Sequence, residues 1–295
     1  MPLVRFHTQS SEPTVGICVG DGVVPVADIT DHSPGDGVNQ CLADLDSIEA
    51  TVRDRLDDDP ESVQTYDVAE VTLLRPVNPP KIARLEGCYE HDVTDTGFNP
   101  FIEPDGLNEM EWPSLWSAPL SSSLAPNEPI ELPQFAKTVR PGVELAFVVG
   151  EGGKYLSSED ALDSIAGCLV AGDVAIYDDL PGLEGYKFFD SALPLGSQVV
   201  SLSELDVANL DVSVSVDGDV LDENSTSNWR FSPEELVASV SELMTLRPGD
   251  LVVTGDPMRI DRPLRDGDEL TIEIGGVETV RKSVTRENAD VEVRL

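Results

Sequence analysis

The sequence has few positive charges and few aromatic side chains. Its 295 residues contain 19 Lys and Arg against 56 Asp and Glu, a formal net charge of −37, and aromatic residues make up only 5%. A surface this acidic repels phosphate backbones and anionic lipids, which argues against nucleic-acid and membrane-surface binding. Because the acids are spread along the whole chain, the composition favours a solvated acidic surface on a protein that works in concentrated salt.

Several common signatures are also missing. The four cysteines (Cys18, Cys41, Cys88 and Cys168) have no CxxC spacing, which favours reduced thiols in a cytosolic protein. The N-terminal residues lack the pattern of a signal peptide, and no apolar run approaches the ~20 residues of a membrane span. Phosphate-loop, GxSxG, HExxH and zinc-finger spacings are absent too. We therefore expect a cytoplasmic protein without these chemistries.

Short strand patterns dominate the rest of the chain. The proline-rich segment RPVNPPK (75–81) predicts a boundary between a small N-terminal domain of hairpin and helix (1–75) and a larger domain (76–295). Turn signals and periodicity predict hairpins at 13–29, 212–221 and 268–284, and helices within 37–66, at 157–167 and after a cap at Ser232. The predicted class is α+β, dominated by β-structure.

The run RPGVELAFVVG (140–150) places Glu144 inside a strand that is otherwise apolar. A buried carboxylate costs several kcal/mol unless it is compensated, here by a metal ion, a cationic side chain or water. Asp173 and Asp190 also stand in apolar surroundings. Any one of them alone is explained by hydrogen bonds at a strand end, whereas a cluster of them favours a hard cation with oxygen ligands.

Two further residues are candidates for catalysis. Lys187, one of only five lysines, is flanked by aromatic residues, so it serves either an anionic substrate or a surface where its stem covers the rings. His91 lies in a turn-rich segment with Asp95 close enough to orient its ring. A general base and a solvated loop histidine are both compatible with this pattern.

The order of these segments resembles the fumarylacetoacetate hydrolase family over most of residues 76–295. KFFDSALPLG is similar to the family's K-x-F-D-x-x-x-P-x-G, and NSTSNWRF followed by MTLRPGDLVVTGDP is similar to N-T-S-x-x-x-F and M-T-L-x-P-G-D-x-x-x-T-G-T-P. PVNPPKIARLEGCYEH, GVELAFVVG and AGCLVAGDVAIYDD resemble its entry segment and two metal-binding segments.

The resemblance implies a mixed β-roll or barrel with a smaller N-terminal α/β region, usually as a homodimer. It implies Mg²⁺ or Mn²⁺ held by Glu144 and Asp173. It further implies catalytic roles for His91, Asp95 and Lys187, and substrate binding by Tyr89, Tyr177 and Thr254.

The chain also departs from the family pattern at the expected metal site. Gly142 stands where the first of three ligand carboxylates is expected, Tyr177 replaces an Arg, and a common Lys falls near Ala118. The loop 174–186, a candidate lid, is shorter than usual. Two carboxylates hold Mg²⁺ more weakly than three, and Tyr177 cannot act as a carboxylate fork.

Two functions follow from this mixture. The first is a metal-assisted enzyme that acts through an enolate on a small 2-oxo acid or 1,3-dicarbonyl compound, as a C–C bond hydrolase, a tautomerase or a 2-keto-3-deoxy sugar acid dehydratase. The second is a non-catalytic member that acts as a binding or assembly subunit. In both, the protein is adapted to salt. The expected partners are a small anionic substrate and a second copy of the chain, and the subunit function places the protein beside an active paralogue.

The charge balance predicts that salt stabilises the fold. We expect the unfolding midpoint of the purified protein to rise steeply from about 0.1 M to about 1 M KCl, where the Debye length falls from about 10 Å to about 3 Å. Circular dichroism melts would measure the midpoint. Sucrose, which stabilises folds without screening charge, is the control, and an equal rise in sucrose would contradict an electrostatic cause.

Overall fold

The computed structural model describes residues 1–9, 12–32, 37–90, 111–178 and 186–286. The N-terminal part contains β1 (Leu3–His7), β2 (Thr14–Val19), β3 (Gly22–Pro25), α1 (Val38–Leu42), α2 (Leu45–Asp58), β4 (Tyr66–Asp67) and β5 (Thr72–Leu74). The middle contains β6 (Ile82–Glu86), β7 (Ser114–Ser117), β8 (Ser123–Leu124), β9 (Ile130–Glu131), β10 (Val139–Val149), β11 (Ile165–Ile176), β12 (Leu193–Pro194) and β13 (Gln198–Ser201). The remainder contains β14 (Asp211–Val216), β15 (Asp219–Ser225), α3 (Pro233–Leu243), β16 (Leu251–Val253), β17 (Glu269–Ile274) and β18 (Glu278–Thr285).

Most of these strands form two sheets within the described residues. The larger has eleven strands in the order β4-β3-β2-β1-β13-β11-β10-β16-β6-β7, with β5 also paired to β1. The smaller has five strands in the order β15-β14-β17-β18-β9. The α+β class dominated by β-structure is confirmed, and the larger sheet is open rather than closed into a barrel.

The long hairpin of β10 and β11 lies at the centre of the larger sheet, and its two faces contact different cores. Successive side chains of a strand point to opposite faces. On β10, Leu145 and Phe147 belong to the core shared with the five-stranded sheet and α3. Ala146 and Val148 belong to the core shared with α2. The side chains of the hairpin are therefore buried on both sides, which explains its long apolar run.

The N-terminal strands continue this same sheet. β1 pairs with β13 in antiparallel register, with Leu3 opposite Val199. The division into 1–75 and 76–295 stays a prediction. Within the described residues, no helix combines the length and apolar character needed to cross a membrane. The four cysteines are buried as thiols.

Most local predictions are confirmed. The hairpins predicted at 13–29, 212–221 and 268–284 are β2–β3, β14–β15 and β17–β18. The helix predicted after Ser232 is α3, and the pattern at 37–66 is helical in α1 and α2.

The helix predicted at 157–167 is wrong. The segment forms turns and a short 3-10 helix at Leu162–Ser164, and β11 begins at Ile165. Ile165 pairs with Val149, and Gly167 lies so close to the backbone of Val200 that an added Cβ would overlap it. Strand pairing has therefore overridden a local helix preference that spans too few residues to be stable alone.

The N-terminus of α3 provides a test of local stability. Ser232 Oγ accepts a hydrogen bond from the Glu235 N–H at 3.3 Å, and Glu235 Oε2 accepts one from the Ser232 N–H at 2.8 Å. We expect Ser232→Ala to lower the free energy of unfolding by about 1 kcal/mol, because it removes this cap. Urea denaturation would measure the loss. Glu235→Gln, which retains the reciprocal bond, should stay close to wild type, and an equal loss in both variants would contradict the assignment.

Candidate functional site

Three charged side chains meet on one face of the central sheet. Arg84 lies on β6, Glu144 on β10 and Asp173 on β11. On their strands they share the face of Ile82, Ala146 and Ala171, which line the core under α2. Register brings them to successive positions on this face, because Gly142 is opposite Asp173 and Ala146 is linked to Arg84 through Val253. Glu144 lies between these two levels, one same-face position from each. Alternation along β11, β10 and β6, with β16 between the last two, thus builds the cluster.

Arg84 is the group that compensates Glu144. Its Nη2 donates to Glu144 Oε1 and, at 2.6 Å, to Asp173 Oδ1. The three residues are 1%, 1% and 3% exposed. Charges taken this far out of water cost several kcal/mol each unless they are paired. A metal ion, a cationic side chain or water could each compensate Glu144. Among the described residues, it is a cationic side chain that does so.

The other oxygen of each carboxylate also has a donor. Glu144 Oε2 accepts from the Gly255 N–H at 2.7 Å. Gly255 follows β16 with φ of +84°, a conformation that favours glycine. Asp173 Oδ2 accepts from Lys187 Nζ at 2.7 Å. Lys187 thus joins the cluster through Asp173 and not through Glu144.

A second layer of contacts holds the two cations. Lys187 Nζ lies 3.0 Å from Glu86 Oε1, and the Tyr186 hydroxyl donates to the same oxygen at 2.6 Å. The Trp116 ring lies 5.1 Å from Arg84 Cζ, a cation–π distance. Both cations are therefore fixed by packing as well as by charge.

The pKa values in the cluster follow from burial and from neighbouring charge. Burial raises the pKa of Asp173, but the Lys187 ammonium and the Arg84 guanidinium together lower it by a larger amount. The pKa of Asp173 therefore lies below its ordinary value. Burial lowers the pKa of Lys187, and Asp173 reverses this and holds it well above the usual range. Burial raises the pKa of Glu144, and burial with the nearby Asp173 raises that of Asp256 well above its usual range. Lys187 is therefore a stable cation at neutral pH.

Asp256 occupies the space beside Gly142. Its Oδ1 accepts from the N–H of Val143 at 3.2 Å and of Met258 at 3.0 Å. A Cβ added at Gly142 would overlap the Asp256 carboxyl group. A side chain at 142 therefore requires Asp256 to move, so these two positions are sterically linked.

The residues present do not fit the expected Mg²⁺ or Mn²⁺ ion. Such an ion needs oxygen ligands that face one shared point. The point shared by Glu144 and Asp173 is filled by Arg84 Nη2, and their remaining oxygens accept from Gly255 and Lys187. Among the residues that the structure describes, no group of three or more His, Cys, Asp or Glu could hold a metal.

The expected substrate-binding residues lie in different surroundings. Tyr89 is buried against Trp229, with ring centroids 6.0 Å apart, and Thr254 Oγ1 donates to the Leu145 carbonyl at 2.9 Å. Tyr177 is half-buried beneath the Arg140 guanidinium, 4.5 Å from its ring centroid. Their roles stay predictions.

The remaining candidate residues are not part of the buried cluster that the structure describes. Asp190, expected among apolar groups, is exposed, so it does not join the buried carboxylates. His91 and Asp95 lie outside the described residues, as does most of the loop 174–186. Ala118 is buried in the core under α2.

Sequence reasoning missed Arg84, Glu86 and Asp256. A signal for the first two was present in KIARLEG, where Ile82, Arg84 and Glu86 share one face of a strand. The signal for Asp256 was TGDP, which departs from the family's T-G-T-P. Their contacts could not be predicted from the sequence, because the partner residues lie 60 to 113 positions away along the chain.

The contact between Gly142 and Asp256 makes a testable prediction. We expect Gly142→Ala to lower the free energy of unfolding by about 1–3 kcal/mol through overpacking. Adding Asp256→Ser should recover part of that loss, since it shortens the opposing side chain. Urea denaturation of the four proteins in this double-mutant cycle would measure the coupling. Gly37→Ala, where an added Cβ meets nothing within 4 Å, is the control, and additive effects at 142 and 256 would contradict the steric link.

Comparison with proteins of known sequence identifies relatives over most of the chain. An uncharacterised protein of Pyrococcus abyssi is 32% identical over 220 residues, covering 72% of this chain and 93% of that protein. The mitochondrial oxaloacetate tautomerase of Xenopus laevis is 30% identical over 267 residues, covering 87% and 80%.

A solved structure and a family model agree with these relatives. Maleylpyruvate hydrolase from Sphingobium sp. SYK-6, crystallised with manganese(II) and pyruvate, shares the fold with a TM-score of 0.78 at 23% identity, covering 98% of this chain and all of that one. The model of the fumarylacetoacetate hydrolase C-terminal domain matches residues 81–285, which include Arg84, Glu144 and Asp173. The chain belongs to the fumarylacetoacetate hydrolase family.

Proposed function

We propose that this protein is an enzyme that acts on a small 2-oxo acid or 1,3-dicarbonyl compound through an enolate. The observation that carries the proposal is the buried cluster of Arg84 and Lys187 with Glu144 and Asp173. Fixed cations in a water-poor site stabilise negative charge where it develops, and enolate formation develops such charge on the keto oxygen. Tautomerisation and C–C bond hydrolysis both pass through this intermediate.

The relatives support the same class of substrate. The Xenopus laevis relative is named an oxaloacetate tautomerase, and relatives of that name in Bos taurus reach 36% identity over 219 residues. Oxaloacetate is both a 2-oxo acid and a β-dicarbonyl compound. We place keto–enol interconversion of such an acid first among the reactions proposed.

Lys187 is the proposed stabiliser of the enolate oxygen. Lys187 is 7% exposed, and its ammonium stays protonated because Asp173 raises its pKa well above the usual range. In the reaction a proton leaves the carbon beside the keto group, and the electron pair shifts to the keto oxygen. Reprotonation at oxygen gives the enol, and reprotonation at carbon gives back the keto form. His91, oriented by Asp95, is proposed to carry this proton.

The setting proposed for this reaction is a homodimer in the salt-rich cytoplasm. The net charge of −37 supports salt adaptation, and the family resemblance supports the dimer. Tyr89, Tyr177 and Thr254 remain the proposed substrate-binding residues.

The alternative function is a non-catalytic binding or assembly subunit. One observation favours it: Glu144 and Asp173, the carboxylates expected to hold an ion, are already neutralised by Arg84 and Lys187. Neutralisation is also what a cluster retained only for folding requires. An assay of enolisation separates the two functions.

The proposal predicts that the protein catalyses enolisation of a small 2-oxo acid. We expect the purified protein in concentrated KCl to accelerate the conversion of enol-oxaloacetate to the keto form, followed by ultraviolet absorbance. Lys187→Met should lower kcat about a hundredfold, the loss typical of removing one charge-stabilising donor.

Lys154→Met is the matched control. Lys154 is a lysine near the surface whose Nζ donates to the Glu242 carbonyl at 2.7 Å, away from the cluster. This variant should retain wild-type kcat. If the wild-type protein accelerates none of oxaloacetate, acylpyruvates and 2-keto-3-deoxy sugar acids, the enzyme proposal fails and the subunit function stands.

A further inference from the structure

We infer that the Arg84 guanidinium is the resident cation of this site, in place of a divalent metal ion, and that it binds an oxygen of an anionic 2-oxo acid. The inference rests on the proposed function for the class of ligand. It differs from the metal-assisted chemistry expected from the sequence, because it assigns the positive charge to a residue of this chain.

The position of Arg84 is the first observation that supports this inference. A single nitrogen, Nη2, contacts both Glu144 and Asp173. An ion bridging these carboxylates would have to occupy the place of that nitrogen. The guanidinium is 1% exposed and is covered by the Trp116 ring. Its location is therefore enforced by the sheet and by packing.

The charge of the cluster is the second observation that supports the inference. Glu86, Glu144 and Asp173 contribute three negative charges, and Arg84 and Lys187 contribute two positive charges. A divalent ion added beside Arg84 would leave a buried excess of positive charge and would repel the guanidinium. The two cations already offset two of the three carboxylates, whereas a divalent metal site normally presents an uncompensated excess of carboxylate charge.

The third observation is that Arg84 has hydrogen-bond donors without an acceptor among the described residues. A guanidinium has five N–H groups. Arg84 Nε and Nη1 are buried and have no hydrogen-bond partner among the described residues. A buried donor without an acceptor is costly. A carboxylate or enolate oxygen is the acceptor that matches a guanidinium best in charge and geometry.

The position of Asp256 is the fourth observation that supports the inference. In this chain the place of the missing carboxylate at Gly142 is taken by the Asp256 side chain, which is held by backbone N–H groups of Val143 and Met258. The first metal ligand cannot return by a single substitution without displacing Asp256. The departure at 142 is therefore integrated into the packing between β10 and the segment after β16.

The first experiment uses the wild-type protein and oxalate, a planar dicarboxylate that mimics an enolate. Isothermal titration calorimetry is run in concentrated KCl after EDTA treatment and again with added Mg²⁺ or Mn²⁺. We expect the Kd for oxalate to agree within about twofold across these conditions, and metal alone to leave the unfolding midpoint unchanged.

The outcomes separate this inference from the proposed function. Oxalate binding and enolisation that both vanish in EDTA and return with metal would overturn the inference and leave the enzyme proposal intact. Failure to bind oxalate in every condition would overturn the inference on its own terms. Failure to enolise any substrate overturns the enzyme proposal independently of oxalate binding.

The second experiment compares Arg84→Met with Arg262→Met. Arg262 pairs with Asp268 at 2.8 Å and with Asp217 at 3.5 Å near the β14–β17 strands, so it controls for loss of an arginine from an ion pair. We expect Arg84→Met to weaken metal-free oxalate binding about tenfold or more. The same variant should gain stabilisation by Mg²⁺ or Mn²⁺, since Glu144 and Asp173 lose their shared cation.

The gain of metal dependence distinguishes a resident cation from a structural arginine. Wild type and Arg262→Met should show neither effect. If Arg84→Met does not fold, Arg84→Lys retains the charge with fewer donors and should fold while binding oxalate more weakly. Unchanged metal-free oxalate binding in the folded Arg84 variant would overturn the inference.

Discussion

The buried ion pairs of Arg84 with Glu144 and Asp173 are the interaction on which the rest of this site depends. They join β6, β10 and β11 on one face of the sheet, and Lys187, in the described segment that begins at residue 186, attaches to this face through Asp173. Breaking a buried pair costs about 3–5 kcal/mol because it leaves an uncompensated charge. The same contacts therefore both position the cations and oblige the protein to keep them.

The buried cluster, in which two cations offset most of the carboxylate charge, contrasts with the acidic composition of the whole chain. A net charge of −37 repels a small anionic substrate at long range. In about 1 M salt the Debye length is only about 3 Å, so this repulsion is screened before the ligand reaches the surface. Short-range attraction then has to come from fixed cations, and Arg84 and Lys187 are the pair that the buried cluster provides. The proposed salt adaptation and the proposed recognition of an anionic substrate are therefore compatible.

Two departures from the family pattern explain each other in space. Gly142 removes a carboxylate from β10, and Asp256 places one beside it from the segment after β16. Either change alone looks like the loss of a ligand or a neutral substitution in a motif. Together with Arg84 they describe a rearranged site in which a side-chain cation lies between two carboxylates. Shared ancestry is therefore compatible with a change in the source of the positive charge.

The sequence by itself determined the local elements and the family. Periodicity and turn residues predicted three hairpins and the capped helix α3, because these signals lie within about ten residues of one another. It also identified Glu144 and Asp173 as buried acids. It could not name their partner, and it placed a helix at 157–167 where strand pairing prevails. Only the tertiary structure brought Arg84 to Glu144 and Asp173, since strand register fixes contacts between residues 60 and 89 positions apart that no local pattern encodes.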